Sequence, residues 1–243
     1  MDAMILAAGL GTRLGAVTRD RPKALVDVAG VPILERVARR LIDAGADRLI
    51  VNVHHHAELI AAFIAERSGF GVDVHIAREV DAPLETGGGL LNAAALFRGD
   101  EPFFLHNVDV LCDADLRALY AAHRASEAVA TLAVSERDTA RYLLFDDAGL
   151  CGRWDARTDT RTDLRPCQGE PRRRAFAGIH VLSPAIFELI TERGAFSIMA
   201  PYTRLAAAGH RIADFDIGAA RWLEIGNPDR LEAARQPFTP PDA

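Results

Sequence analysis

Met4-Ile5-Leu6-Ala7-Ala8-Gly9-Leu10-Gly11-Thr12-Arg13-Leu14-Gly15 is the stretch on which the fold of this chain turns. Its first five residues are apolar without interruption, which reads as a buried strand, and the glycines begin where that strand should end. Glycine lets a backbone pass close to a ligand, so the N–H groups of residues 9–15 can curl around a phosphate at the carboxyl edge of a sheet. Two familiar phosphate templates do not fit. Leu14 stands where G-x-G-x-x-G needs its third glycine, and no Gly-Lys-Ser/Thr closes the loop. On the loop alone, a phosphate cradle and a plain strand-to-helix turn stay equally open.

Further along, strands and helices alternate. Ile33, Leu34, Val37, Leu41 and Ile42 recur at helical spacing, and Leu49 to Val53 reads as a second strand. Leu59, Ile60, Phe63 and Ile64 mark another helix, Val72 to Ala77 a third strand and Pro102 to His106 a fourth. Four strands with three crossovers predict βαβ units and parallel pairing. From Val129 the texture changes: 131–134, 142–145, 151–154 and 176–182 read as strands with few helices between them, a β-rich lobe. Helical spacing returns at 184–190 and 198–208, a strand follows at 211–216, and Pro228 suits the first turn of a last helix. The expected fold is α/β: a Rossmann-like, mostly parallel sheet flanked by helices, with a small β-rich lobe. Residues 1–236 form one unit, with 237–243 as a loose tail.

With 243 residues, 49% of them apolar, the chain can bury a large core. A formal net charge of −6 argues against a nucleic-acid partner, which needs a positive surface. The arginines at 172–174 are the local exception; Pro166, Gly169 and Pro171 around them predict a solvated loop. No apolar run is long enough to span a bilayer, and the opening residues turn polar too soon for a secretory signal, so a cytoplasmic protein without a membrane partner is expected. Cys112, Cys151 and Cys167 are odd in number and widely spaced, and read as reduced thiols.

Company sharpens the glycine loop. Arg13 lies within it, and Arg21-Pro22-Lys23-Ala24-Leu25 follows about ten residues later, so fixed cations lie near a glycine nest, as a polyphosphate requires. Leu6-Ala7-Ala8-Gly9-Leu10-Gly11-Thr12-Arg13-Leu14 followed by Pro22-Lys23-Ala24-Leu25 resembles the signature L-A-A-G-x-G-T-R-L then P-K-x-L of the sugar-1-phosphate nucleotidylyltransferases. The resemblance runs to about residue 235 and is strongest to short bacterial members, among them uridylyl- and guanylyltransferases. It implies the nucleotide-diphospho-sugar transferase fold, with 1–128 mainly binding nucleotide and 129–220 forming most of a sugar-binding lobe. It also implies NTP and sugar 1-phosphate as substrates, Mg2+ as cofactor and a monomer or homodimer.

Asp109 follows the apolar run Phe103-Phe104-Leu105-His106, at a strand's carboxyl end where open α/β sheets bind ligands; capping the helix near Asp113 is the alternative. The family's N-G-D reads Asn107-Val108-Asp109 here, and its W-x-D-x-G-T-P reads Trp222-Leu223-Glu224-Ile225-Gly226-Asn227-Pro228, so Asp109 and Glu224 are the implied metal ligands. Leu84-Glu85-Thr86-Gly87-Gly88-Gly89 predicts a flat backbone surface able to accept a planar base. The resemblance adds Leu6, Ala8, Gly9, Gly11, Thr12, Glu85, Thr86, Gly87, Gly88, Asn107 and Gly178 as substrate contacts, with Arg13, Lys23 and Asp109 as catalytic residues. UTP is favoured as donor, GTP next. His54-His55-His56 cannot all face one ion, because consecutive side chains diverge, and reads as polar loop at the cleft. Three alternatives remain: a cytidylyl- or molybdopterin-type transferase, a non-catalytic nucleotide-sugar sensor, distinguished by its failure to release pyrophosphate, and an NAD-binding oxidoreductase, which Leu14 disfavours.

Overall fold

Ten strands share one sheet in the computed structural model, which describes residues 1–99 and 101–235. β1 (Asp2–Leu6) is buried along most of its length and leads into the glycine loop, a 3-10 turn over Thr12–Thr18 and a second over Lys23–Leu25. No regular α-helix follows the loop directly. A two-residue ribbon, β2 (Asp27–Val28) with β3 (Val31–Pro32), precedes α1 (Ile33–Asp43), whose inner face is Ile33, Leu34, Val37, Ala38 and Leu41. β4 (Arg48–Val53), α2 (Ala57–Glu66), β5 (Asp73–Arg78), α3 (Glu85–Asn92) and β6 (Phe103–Asn107) complete the three crossovers.

β1 pairs in parallel with β4 on one side and β6 on the other, and β4 with β5. Side chains alternate across these strands: Ala3 and Ile5 of β1 join the core under α1, while Met4 joins the second core on the opposite face. Both faces are covered, which is why the strands read as continuous apolar runs.

The second half extends the same sheet. After β7 (Val110–Cys112) comes α4 (Leu116–Arg124), capped by Asp115, whose side chain accepts a 2.9 Å bond from the Ala118 N–H. Asp109 therefore does not cap this helix. β8 (Ala130–Ser135), the antiparallel β9 (Arg141–Asp146), β10 (Gly149–Asp155) and β11 (Thr160–Asp163), and the long β12 (Arg172–Leu182) follow. β12 pairs antiparallel with β9 at its start and with β6 and β8 further on, binding the β9–β11 lobe to the parallel strands. α5 (Ile186–Leu189) and α6 (Met199–Ala207) pack on the second core, β13 (Ile212–Asp216) adds in parallel to β8, β14 (Trp222–Glu224) pairs with β7, and α7 (Pro228–Arg235) closes the described chain. The tail at 237–243 lies outside the described residues. No helix among them is long and apolar enough to cross a membrane.

Two expectations are corrected. The arginines at 172–174 belong to β12, not to a solvated loop: Arg172 pairs with Asp147 at 2.9 Å, the Arg173 guanidinium lies 3.8 Å over the Trp154 ring, and Arg174 pairs with Glu136 at 2.6 Å. The partners lie far away in sequence, so the local Pro and Gly content misled. Cys151 and Cys167 are not free thiols but a disulfide, with Cα atoms 5.4 Å apart. The chain doubles back after β11, the Leu164 N–H donating to the Cys151 carbonyl at 2.9 Å, and this brings the sulfurs together. Cys112 is free and buried.

Candidate active site

Register places the site. Leu6 of β1 lies between Asn52 of β4 and Asn107 of β6, so the carboxyl ends of three parallel strands meet in one row. In front of this row opens a cleft of about 460 Å³, lined by the glycine loop, Lys23, Asn52, Glu79, Glu85, Thr86, Asn107 and Asp109 among others. Ligands in open α/β sheets bind at such an edge.

The glycine loop is held from below. Gly11 has φ +65°, a left-handed conformation, and a Cβ there would fall 3.0 Å from the Lys23 Cβ, so glycine is needed for both the turn and the close approach. Its carbonyl accepts from the Leu14 N–H at 2.9 Å and from the Thr18 hydroxyl at 3.0 Å. Leu14 is buried beneath, while Arg13 is largely exposed at the mouth. Leu6, Ala8, Gly9, Gly11 and Thr12 all line the cleft, as does Arg13.

Charges around the cleft are paired across the fold. Lys23, nearly buried in its 3-10 turn, donates to Asp109 Oδ2 at 2.6 Å. Asp109 sits in the turn between β6 and β7, and its carbonyl accepts the Ile225 N–H at 2.8 Å, which joins it to the end of β14. Glu224 pairs with Val110 in the β14–β7 ribbon and is not itself among the cleft-lining residues; its Oε1 lies 3.6 Å from Arg13 and its Oε2 accepts from Arg230 at 2.9 Å. Val108, where the family has glycine, is 5% exposed and takes no positive φ, so the valine fills core space without straining the turn. Behind, His106 is buried, and desolvation pushes its imidazole down to about 4; the neutral ring turns Nδ1 to the Asn107 carbonyl at 2.8 Å.

The remaining expected residues separate. Glu85 and Thr86 line the cleft, Glu85 at φ +59°, a strained conformation for a residue with a side chain. Gly87 and Gly88 do not. Their N–H groups donate to the Phe196 carbonyl at 2.9 and 3.3 Å, and a Cβ on Gly88 would lie 2.4 Å from the Gly194 carbonyl oxygen. Gly87 and Gly88 pack against the 194–198 segment, while a Cβ on Gly89 would meet Glu79 Oε1 and Asn52 Nδ2 at 2.8 and 2.9 Å, so the run is held on both sides by packing. Gly178 also lies behind the cleft wall: at φ +77°, a Cβ there would meet Asn107 Nδ2 and Val110 Cγ2 at 2.9 Å. His54 bonds the Glu79 carbonyl through Nδ1 at 2.8 Å, and the three histidines fall outside the cleft lining, a further correction.

Asn52 and Glu79 were missed. Asn52 donates to Glu79 Oε1 at 2.6 Å, and Glu79 Oε2 accepts from the Leu84 N–H at 2.8 Å, fixing the cleft wall. A lone amide inside the apolar Arg48–Val53 strand was the available signal; nothing marked Glu79 among its acidic neighbours. Arg137 was missed too, stacked 3.7 Å over the Trp222 ring and donating to the Phe176 carbonyl at 2.6 Å.

Sequence comparison identifies what kind of protein carries this cleft. The sequence model of the nucleotidyl transferase family matches residues 2–239. The chain belongs to that family. This nucleotidyl transferase is 34% identical over 245 residues to an N-acetylmuramate α-1-phosphate uridylyltransferase of Caulobacter vibrioides, covering 96% of this chain and 94% of the relative. It is 30% identical over 235 residues to the corresponding Neisseria meningitidis serogroup B protein, covering 97% of each. Among solved structures, HddC from Yersinia pseudotuberculosis in complex with GMP-PN superposes with a TM-score of 0.76 at 25% identity, covering 98% of this chain and 99% of that one. The fold is that of the nucleotide-diphospho-sugar transferases, and the nucleotidyl transferase is an enzyme of the sugar-1-phosphate class.

Proposed function

We propose that this enzyme transfers uridylyl from UTP to a sugar 1-phosphate with Mg2+, releasing pyrophosphate. The observation that carries the reading is the pairing of Lys23 with Asp109 and of Arg13 with Glu224 around a glycine loop at the carboxyl edge of the sheet. Cations poised there suit phosphate oxygens, and carboxylates on adjoining segments suit a hard cation. The uridylyltransferase names of the Caulobacter and Neisseria relatives support UTP.

The donor set fits Mg2+: the Asp109 carboxylate lines the cleft, and the Glu224 carboxylate lies on the strand paired with β7, 3.6 Å from the cleft residue Arg13, leaving open cleft for phosphate oxygens to complete the shell. Among the described residues the one cluster of three potential ligands, Asp146, Cys151 and Cys167, does not fit, because its sulfurs are joined and Arg165 holds the carboxylate. When bound between Asp109 and Glu224, Mg2+ would neutralise phosphate charge and orient the oxygens.

The chain's own groups do the rest by positioning and charge. The glycine loop receives the polyphosphate, and Arg13, free to leave Glu224, contacts the departing β and γ phosphates. Lys23 contacts the α-phosphate or the incoming phosphate. A sugar-phosphate oxygen forms the new bond to the α-phosphorus as the bond to the bridging oxygen breaks, and pyrophosphate carries away the electron pair. Glu85 and Thr86 flank the nucleoside.

The test is pyrophosphate release over a panel of NTPs and sugar 1-phosphates with Mg2+. UTP with one sugar 1-phosphate should dominate, and Lys23→Ala or Asp109→Asn should each lower turnover on the order of 100-fold or more. Strong turnover with GTP or CTP and not UTP would refute the donor; near-parent turnover in both variants would refute the roles.

A further inference from the structure

Glu224 stands one methylene beyond the reach of the aspartate in the pattern it interrupts. The extra rotatable bond lets an unrestrained carboxylate sweep through several positions, and ordering a glutamate side chain is entropically costly. Here it is not unrestrained. Arg230, on the first turn of α7, donates to Oε2 at 2.9 Å, while Oε1 lies 3.6 Å from Arg13 and close to Gly226, two residues that line the cleft. One oxygen faces the helix and the other faces Arg13 and Gly226 at the edge of the cleft.

Arg230 is itself fixed. Its N–H donates to Asn227 Oδ1 at 2.9 Å, the Asn227 carbonyl accepts from the Leu231 N–H at 3.0 Å, and Leu231 is buried in the core. Asn227 thus caps α7 and holds the arginine on a rigid turn directly after the strand that carries Glu224. The pair is half-exposed, and such pairs add little to stability, so its consequence is one of orientation.

We propose that Arg230 is a positioning residue: it occupies Oε2 of Glu224, so that the longer side chain presents Oε1 alone toward the cleft as a single-oxygen metal ligand. This rests on the reading of Glu224 as a metal ligand. It explains how glutamate serves at a position that favours aspartate, because the added reach is taken up by the arginine. An aspartate at 224 would be too short to need it.

Mn2+ binding to the full chain, followed by the EPR signal of the free ion, separates the possibilities. Glu224→Ala should weaken Mn2+ about tenfold or more. Arg230→Ala should weaken it about fivefold by releasing the side chain, and raise the Mg2+ concentration needed for half-maximal turnover with a smaller change in kcat at saturating metal. Arg230→Lys should recover part of the loss. In a Glu224→Asp background, Arg230→Ala should have no effect on Mn2+ affinity. A thermal-shift control checks that α7 stays folded. If Glu224→Ala leaves Mn2+ affinity unchanged, the ligand reading fails and the positioning role with it. If Glu224→Ala weakens binding while Arg230→Ala leaves it unchanged or tightens it, Glu224 is a ligand and the arginine competes with the ion or does nothing, and the proposal is overturned.

Discussion

Gly88→Ala sets two effects of opposite sign against each other. Gly88 lies inside α3, where alanine is favoured over glycine by about 1 kcal/mol. Against this, the new Cβ would sit 2.4 Å from the Gly194 carbonyl oxygen and 3.0 Å from Leu84 Cβ. The first contact is about 1 Å inside van der Waals distance, and a backbone oxygen cannot rotate away as a side chain can. Overpacking of this kind costs about 1 to 3 kcal/mol, and a rigid partner puts it near the upper end. The net destabilisation is about 2 kcal/mol, or about 4 to 8 °C in Tm for a chain of this size. Differential scanning fluorimetry reads the shift, and pyrophosphate release reads KM for the nucleotide, which should stay near the parent value because Gly88 is absent from the cleft lining. An unchanged Tm with a steep rise in KM would falsify the packing account and return the glycine run to base recognition.

Burial pushes His123 down to about 4 and His180 down to about 3, with ring nitrogens bonded to Thr131 and Tyr202 hydroxyls. Both fold neutral while the unfolded chain takes up protons below about 6.5, so stability should fall with acidification from there toward pH 4, by about 1.4 kcal/mol per pH unit for each ring; a Tm flat from pH 7 to 5 would contradict this. Asp146 is fully buried, and bonds from Arg165 hold its carboxyl well below the usual carboxylate range. Its contribution is present above about pH 4 and fades as pH falls further. Arg165→Met should cost about 3 kcal/mol at neutral pH by leaving the carboxylate without its cation, measurable by urea denaturation, and an equal midpoint would exclude a structural role. Reducing the Cys151–Cys167 bond should lower stability by up to about 3 kcal/mol, given the 16-residue separation. Intact mass should rise by about 2 Da, and no mass change on reduction would mean the thiols are free.

What could be read ahead of the structure was whatever the chain declares locally. Met4 and Ile5 had to be buried, and the glycines that follow the strand had to turn. Ile33 to Leu41 showed their helical face by spacing alone. What could not be read depends on distant partners. Gly87 and Gly88 look the same in sequence whether they face a ligand or Phe196, and only the fold brings residues 194–198 against them. Cys151 and Cys167 show a separation that means nothing until the chain doubles back. Glu79 becomes a wall of the cleft only because Asn52 reaches it from the neighbouring strand. Asp109 and Glu224 were singled out by the family pattern and not by periodicity, and the arginine behind Glu224 was invisible to both.

The ribbon of β7 with β14 joins pieces of chain made far apart in time. Asp109 leaves the ribosome with the strands around it, but Glu224 follows 115 residues later, which is roughly 6 to 23 s at ordinary rates of synthesis. Until then the nascent chain holds the glycine loop, Lys23 and one carboxylate, with the edge of β7 bare. On the proposed reading, competence should therefore wait until β14 has been made and has paired with β7. A protease that removed β14 and α7 would take Glu224 from its partner Arg13 and Leu231 from the core that also holds Leu14.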